Sequence, residues 1–232
     1  MLLLAFETSA KAASAALFDG EILLGESYQN TGLTHSQTLM VMAEDLLKQC
    51  GHAPQEVTAV AVAEGPGSFT GVRIGMAAAK GFAWGKEIPC YGVSTLESMA
   101  YHLSVWDGTV CCVMDARRNQ VYNALFSVKN GEITRLCPDR AIALANLSRE
   151  LKEISGPIFL VGDGANLCHR TLAGEIPNLI LPAEHRLHQR ATGVGLAALK
   201  KIAMGDTGNG ETLVPNYLRL SQAERERMER MK

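Results

Sequence analysis

The sequence predicts an α/β protein written twice: two βββαβα halves, each a mixed sheet with helices. Three observations predict it. The segment "AFETSAKAASAALF" recurs without gaps as "VMDARRNQVYNALF" 108 positions later, so that Glu7 falls on Asp115 and Ala16-Leu17-Phe18 on Ala124-Leu125-Phe126. A Gly-Glu pair follows each copy, at Gly20-Glu21 and Gly131-Glu132. Further on, "AVAEGPG" has a counterpart in "FLVGDGA", each an apolar strand, an acid and a glycine turn.

The elements follow in order. Leu2–Phe6 is a short apolar run that reads as a buried strand, Ser14–Phe18 as a second, and Asp19-Gly20 as a hairpin turn into a third at Glu21–Leu24. Leu39, Met42, Leu46 and Cys50 recur at spacings of three and four, which predicts a helix over Ser36–Cys50 stopped by Gly51, with Thr34 or Ser36 as its cap. Val57–Ala63 reads as a buried strand, Gly71–Trp84 as a helix of small residues, and "EIPCYGVSTLESMAYHL" as a strand followed by a helix. The second half begins near Thr109. The expected organisation is therefore 1–105, 106–208, and a C-terminal segment 209–232 that packs back on the first half, its alternating charges after Leu220 suiting an exposed helix or a frayed end.

Bulk composition narrows the function classes. The 232 residues are 47% hydrophobic and 20% charged, ordinary for a globular protein. The net charge of −2 gives no global pull toward nucleic acid, so such a role needs a local patch or a partner. "MLLLAFETSA" lacks a basic start, Glu7 interrupts its apolar run, and no segment approaches a membrane span, so neither a signal peptide nor a membrane location is expected. Six scattered cysteines without a C-x-x-C pair read as free thiols in a reducing cytoplasm.

The stretch "AEGPGSFTGVRIG" from Ala63 to Gly75 carries the main functional question. It is no Walker A loop, because Val72-Arg73 follows Gly71 where a lysine and a hydroxyl are required, and Gly65-x-Gly67 lacks the third glycine of a dinucleotide fingerprint. Ser68 sits in no nucleophile elbow. Gly65-Pro66-Gly67 remains as a tight turn, with Ser68 or Thr70 capping a helix whose free N–H groups can bind an anion. Gly67, Gly71 and Gly75, four residues apart, instead point to close backbone packing, since each glycine inside a helix costs about 1 kcal/mol relative to alanine. Both readings stay open.

The same holds elsewhere. Glu7 at a strand end either holds a metal ion beside phosphates or accepts hydrogen bonds from Thr8 and Ser9. The Ser36–Cys50 helix is apolar on two faces, Leu39, Met42 and Leu46 on one and Met40, Val41 and Leu47 on the other. It is then either wholly buried or offers one face to a partner. His35 reads as a hydrogen-bonding residue; His185 and His188 read as solvated surface. Arg117 and Arg118 sit on a hairpin turn, as an anion contact or as solvent-exposed side chains.

Duplicated halves of this kind resemble the actin-like (ASKHA, RNase H-like) architecture of acetate kinase, hexokinase and the heat-shock ATPases. "AFETS", "HSQTL", "GPGSFTGVRIG", "YGVSTLE", "DARRNQVY" and "YLRLSQAERE" occur in an order and spacing similar to the TsaB (YeaZ) family of bacterial tRNA threonylcarbamoyladenosine biosynthesis proteins, over nearly the whole chain.

The resemblance implies a non-catalytic paralogue of TsaD that forms a heterodimer with it, works with the ATPase TsaE, reaches tRNA through the complex and self-associates in their absence. It implies no catalytic residue and no metal site, because Thr95 and Met99 stand where the paralogue carries metal-binding histidines. A hydroxyl and a thioether replace imidazole poorly. No cofactor is required, while weak ATP or ADP binding stays open. A vestigial nucleotide site would comprise Glu7, Thr8, Ser9, Gly65, Gly67, Gly162 and Gly164. The partner and dimer interface would comprise His35, Ser36, Leu39, Met42, Leu46, Ser68, Phe69, Gly71, Val72, Gly75 and Met76. A nucleotide-dependent actin-like enzyme, an ATPase or kinase, is the alternative.

Overall fold

The computed structural model describes residues 1–219. The first half opens with β1 (Leu2–Glu7), β2 (Ala13–Asp19) and β3 (Ile22–Gln29), followed by α1 (His35–Gln49), β4 (Ala59–Gly65), α2 (Phe69–Trp84), β5 (Cys90–Ser94) and α3 (Thr95–Ala100). The second half repeats the plan with β6 (Gly108–Asp115), β7 (Gln120–Lys129), β8 (Glu132–Arg135), β9 (Arg140–Ala143), α4 (Leu144–Lys152), β10 (Ile158–Val161), α5 (Ala165–Leu172), β11 (Leu179–Ile180) and α6 (Ala191–Ala203). The strand orders β3-β2-β1-β4-β5 and β8-β7-β6-β10-β11 are the same, with β9 added against β7. In each half the first two strands pair antiparallel, and a later strand, β4 or β10, joins the first in parallel. This is the duplicated actin-like arrangement. Gly65 and Gly162, at matching strand ends, hold φ of +112° and +110°, a backbone region open to glycine.

Alternation along β1 builds two cores. Leu4 and Phe6 face α1 and α2, packing with Leu17, Leu39, Leu46 and Met76. Leu3 and Ala5 face the opposite way and pack with Phe18, Val194 and Ala198, so α6 of the second half covers the first sheet. Reciprocally, α3 places Leu96 and Met99 against Val110 and Phe126 of the second sheet, whose other face receives Leu147 of α4 and Cys168 of α5. Helices α3 and α6 thus lie between the two sheets.

Several boundaries differ from expectation. β3 runs to Gln29 rather than ending at Leu24, because Ala13–Leu17 of β2 offers it a continuous antiparallel partner and an edge strand tolerates polar residues such as Glu26 and Gln29. Thr34 precedes α1 without a side-chain cap; only its carbonyl accepts, from Gln37 N–H. β4 starts two residues late, at Ala59. The polar stretch expected to fray after Leu220 lies outside the described residues.

Candidate functional site at the turns between the halves

Each sheet presents turns at the ends of its central strands, and these turns meet. β1 ends at Glu7, which is 0% exposed. Its Oε1 accepts from the Ser9 N–H at 2.5 Å, while Oε2 is buried with no partner. Burial pushes the Glu7 carboxyl up from 4.5 to about 7; the hydrogen bonds from Ser9 oppose this and Asp163 of the second half adds to it. Asp163 follows Gly162 in the β10–α5 turn. Its carboxyl is also raised, first by desolvation in the crevice, with Gln189 Nε2 donating to Oδ1 at 3.2 Å against that and Asp115 reinforcing it, although the residue as a whole keeps solvent access. Two carboxyls from opposite halves are thus both raised first by burial, and Asp163 adds to the rise of Glu7. Glu7, Ser9 and Gln189 each leave one buried polar atom unpaired. Ala191 N–H donates to Ser14 Oγ at 2.7 Å, a second tie between the halves at this level.

The glycine-rich start of α2 packs against the same turn. Ser68 Oγ caps the helix by accepting from Gly71 N–H at 3.3 Å, and Ser68 N–H donates to Ser9 O at 2.7 Å. Thr8 Oγ1 donates to Gly71 O at 2.8 Å. A Cβ on Gly67 would lie 2.4 Å from Ser9 O, one on Gly71 2.1 Å from Thr8 O, and one on Gly75 2.3 Å from Thr8 Oγ1. The close-packed backbone that this glycine spacing implies is therefore the chain's own β1–β2 turn. The Ser9 carbonyl accepts from the Ser68 N–H and the Thr8 carbonyl lies beside Gly71, so two N–H groups at the start of the helix have acceptors. In the second half, Gly164 N–H donates to Val113 O at 3.2 Å, and a Cβ on Gly162 would sit 2.0 Å from Val113 O.

This geometry divides the expected interface residues by burial. Leu39, Met42, Leu46, Val72 and Met76 are buried within the chain, as are Gly71 and Gly75, although Met42 and Leu46 still border a groove between α1 and β3. The physical reason is that α1 and α2 turn these positions onto the first sheet and onto Thr8. His35, Ser36, Ser68 and Phe69 keep partial or full exposure. The apolar residues that α1 and α2 do expose are Met40, Val41 and Trp84, the last 84% exposed. They flank the expected positions in sequence, and only the helix rotation against the sheet separates the two sets.

His35 Nε2 lies 2.8 Å from the Ala10 carbonyl, tying α1 to the β1–β2 loop. His188 pairs with Glu184 at 3.3 Å, next to a short 3-10 turn that carries His185. Arg117, Arg118 and Asn119 form the β6–β7 turn with φ of 65°, 55° and 56°, three successive non-glycine residues in the left-handed region. Thr95 and Met99 are both wholly buried on α3. Among the described residues no group of three or more His, Cys, Asp or Glu side chains is arranged to hold a metal ion, and no helix is long and apolar enough to cross a membrane. The six cysteines are free thiols, four of them buried.

Comparison with known proteins agrees with the fold. The family model for TsaD, tRNA N6-adenosine threonylcarbamoyltransferase, matches residues 29–227. The chain is 34% identical over 236 residues to the tRNA threonylcarbamoyladenosine biosynthesis protein TsaB of Bacillus subtilis (strain 168), covering 100% of both chains. It is 32% identical to that of Escherichia coli (strain K12), covering 94% of this chain and 95% of the relative. The solved structure of YeaZ from Pseudomonas aeruginosa superimposes with a TM-score of 0.75 at 27% identity, over 94% of this chain and 99% of that one. With full-length identity to curated relatives and the same duplicated fold as YeaZ, the chain belongs to the TsaB (YeaZ) family of tRNA threonylcarbamoyladenosine biosynthesis proteins.

Proposed function

We propose that the chain is a non-catalytic subunit in the synthesis of threonylcarbamoyladenosine in tRNA, an activator of TsaD that works together with TsaE. The reading rests on α3. Thr95 and Met99, which the family resemblance aligns with metal-binding histidines of the catalytic paralogue, are fully buried, and Met99 is part of the core between α3 and the second sheet. Met99 Sδ lies beside Gly162 of the β10–α5 turn, but a buried thioether and a buried hydroxyl are a poor donor set for a metal ion. The close approach of the Thr8 and Ser9 carbonyls to the first turn of α2 supports the same reading, because carbonyl oxygens disfavour a phosphate beside them. TsaD would dock on the exposed sides of α1 and α2, and tRNA would be reached through the complex. The test is incubation with tRNA, threonylcarbamoyl-adenylate and a divalent metal. No product is expected from the chain alone, and product is expected once TsaD and TsaE are added. Product from the isolated chain at a rate comparable with the full system overturns the proposal.

A second reading, a nucleotide-dependent actin-like enzyme, is favoured by one observation: Glu7 ends β1 as a wholly buried carboxyl whose Oε2 has no partner. Calorimetric titration with ATP and magnesium separates the two. Micromolar binding together with nucleotide turnover by the isolated chain would favour the enzyme.

A further inference from the structure

The last described segment holds on to both halves. Beyond α6 the chain returns to the first sheet. Leu213 joins the core beneath α2, and its carbonyl accepts from Lys80 Nζ at 3.1 Å. Asn216 N–H donates to Glu64 O at 2.7 Å, at the end of β4. The Tyr217 ring stacks on Phe69 with centroids 4.2 Å apart and planes 12° from parallel, and its hydroxyl accepts from Arg73 Nε at 2.7 Å. Two residues later, Arg219 Nη1 donates to the carbonyl of Ala116, in the β6–β7 turn of the second half.

We infer that residues 213–219 form a strap that fixes the separation of the two halves by tying the N-terminal end of α2 to the β6–β7 turn. The strap has little slack. Two residues of extended chain span at most about 7 Å, so the stack on Phe69 and the Arg219 contact cannot move apart by much without one of them letting go. It is also separate from α3 and α6, the other elements that join the halves. Its far anchor is the turn that carries three left-handed residues, which the Ala116 N–H to Gln120 O and Leu144 N–H to Asn119 O bonds hold in place. A disturbance of the Phe69–Tyr217 stack, half of which is exposed, is thereby felt at Arg117–Asn119.

Hydrogen exchange on the full chain tests this with Tyr217→Ala, Arg219→Ala and the double variant. If the segment is a strap, cutting either anchor raises exchange about tenfold at both ends, in 68–73 and in 116–120, and the double variant adds little to either single one. If each variant acts only on its own side and the double variant is the sum of the two, the anchors are unconnected local contacts and the inference is overturned. Should Tyr217→Ala melt early enough to raise exchange everywhere, Arg219→Ala decides alone. Faster exchange in 68–73 then supports the strap, and change confined to 116–120 overturns it.

Discussion

Glu7 shows how one side chain can dominate the behaviour of the crevice. A carboxyl raised from 4.5 to about 7 on folding binds its proton more tightly in the native state. Stability therefore falls as pH rises from about 4.5 through 7, and the whole penalty is present above 7. The difference of about 2.5 pH units corresponds to at most about 3 kcal/mol. Glu7→Gln keeps an acceptor for Ser9 N–H and removes the buried charge. The variant is expected to melt at a higher temperature than the parent at pH 8 and at about the same temperature at pH 5. A parent-like slope of melting temperature against pH in Glu7→Gln would place the titration elsewhere. Gly71 is the second residue with a sharp consequence. A Cβ there meets the Thr8 carbonyl at 2.1 Å, and neither backbone has room to move aside. Gly71→Ala is expected to cost about 1–3 kcal/mol or more of folding stability, as overpacking does, and the larger Gly71→Leu should not leave a well-folded chain. Denaturant unfolding curves measure both.

At the level of elements, the repeat was the most legible feature. Strand order, the hairpins and the paired glycine turns all follow from it, because a buried strand and a positive-φ glycine leave marks in the sequence itself. Glu7, Gly65, Gly67, Gly162 and Gly164 were legible for the same reason, as strand-end acids and turn glycines. Helix rotation was not. On α1 the sets Leu39/Met42/Leu46 and Met40/Val41/Leu47 are equally apolar, yet the sheet beneath buries Leu47 with the first set and leaves only Met40 and Val41 exposed. Nor did anything mark the crossing of α6 onto the first sheet, or which residues of the 209–232 segment would meet the first half, since the contacts of Leu213–Tyr217 depend on Phe69 and Glu64 far away in the chain. Asp163 and Gln189 were missed as crevice residues, although the acid in "FLVGDGA" was the available signal. The rotation of α1 yields a contrast between neighbours. Met42 is 4% exposed, so Met42→Glu buries a charge and should unfold the chain at ordinary temperature. Val41 is 55% exposed, so Val41→Glu should leave the folding stability within about 0.5 kcal/mol of the parent's.

For the whole molecule, what matters is the surface left over once both cores are filled. Met40 and Val41 on α1 and Trp84 on α2 remain in water, with Leu33 just ahead of α1. Exposed apolar groups on adjacent helices favour association, and a second copy of the chain is the occupant at hand when no other partner is present. The isolated chain is therefore expected to sediment as a dimer at micromolar concentration, and Val41→Glu is expected to shift it toward monomer without unfolding it. If TsaD uses the same face, as proposed, the two associations exclude one another. Adding TsaD should then convert the self-dimer to a heterodimer one for one, and Val41→Glu should weaken both. Removing one well-packed apolar contact costs about 1–3 kcal/mol, roughly one to two powers of ten in affinity. A ternary species holding two copies of the chain joined through α1 and a bound TsaD, seen by sedimentation, would show that the partner docks elsewhere. In that case Val41→Glu would disrupt the self-dimer and leave the TsaD affinity and the rate of tRNA modification untouched.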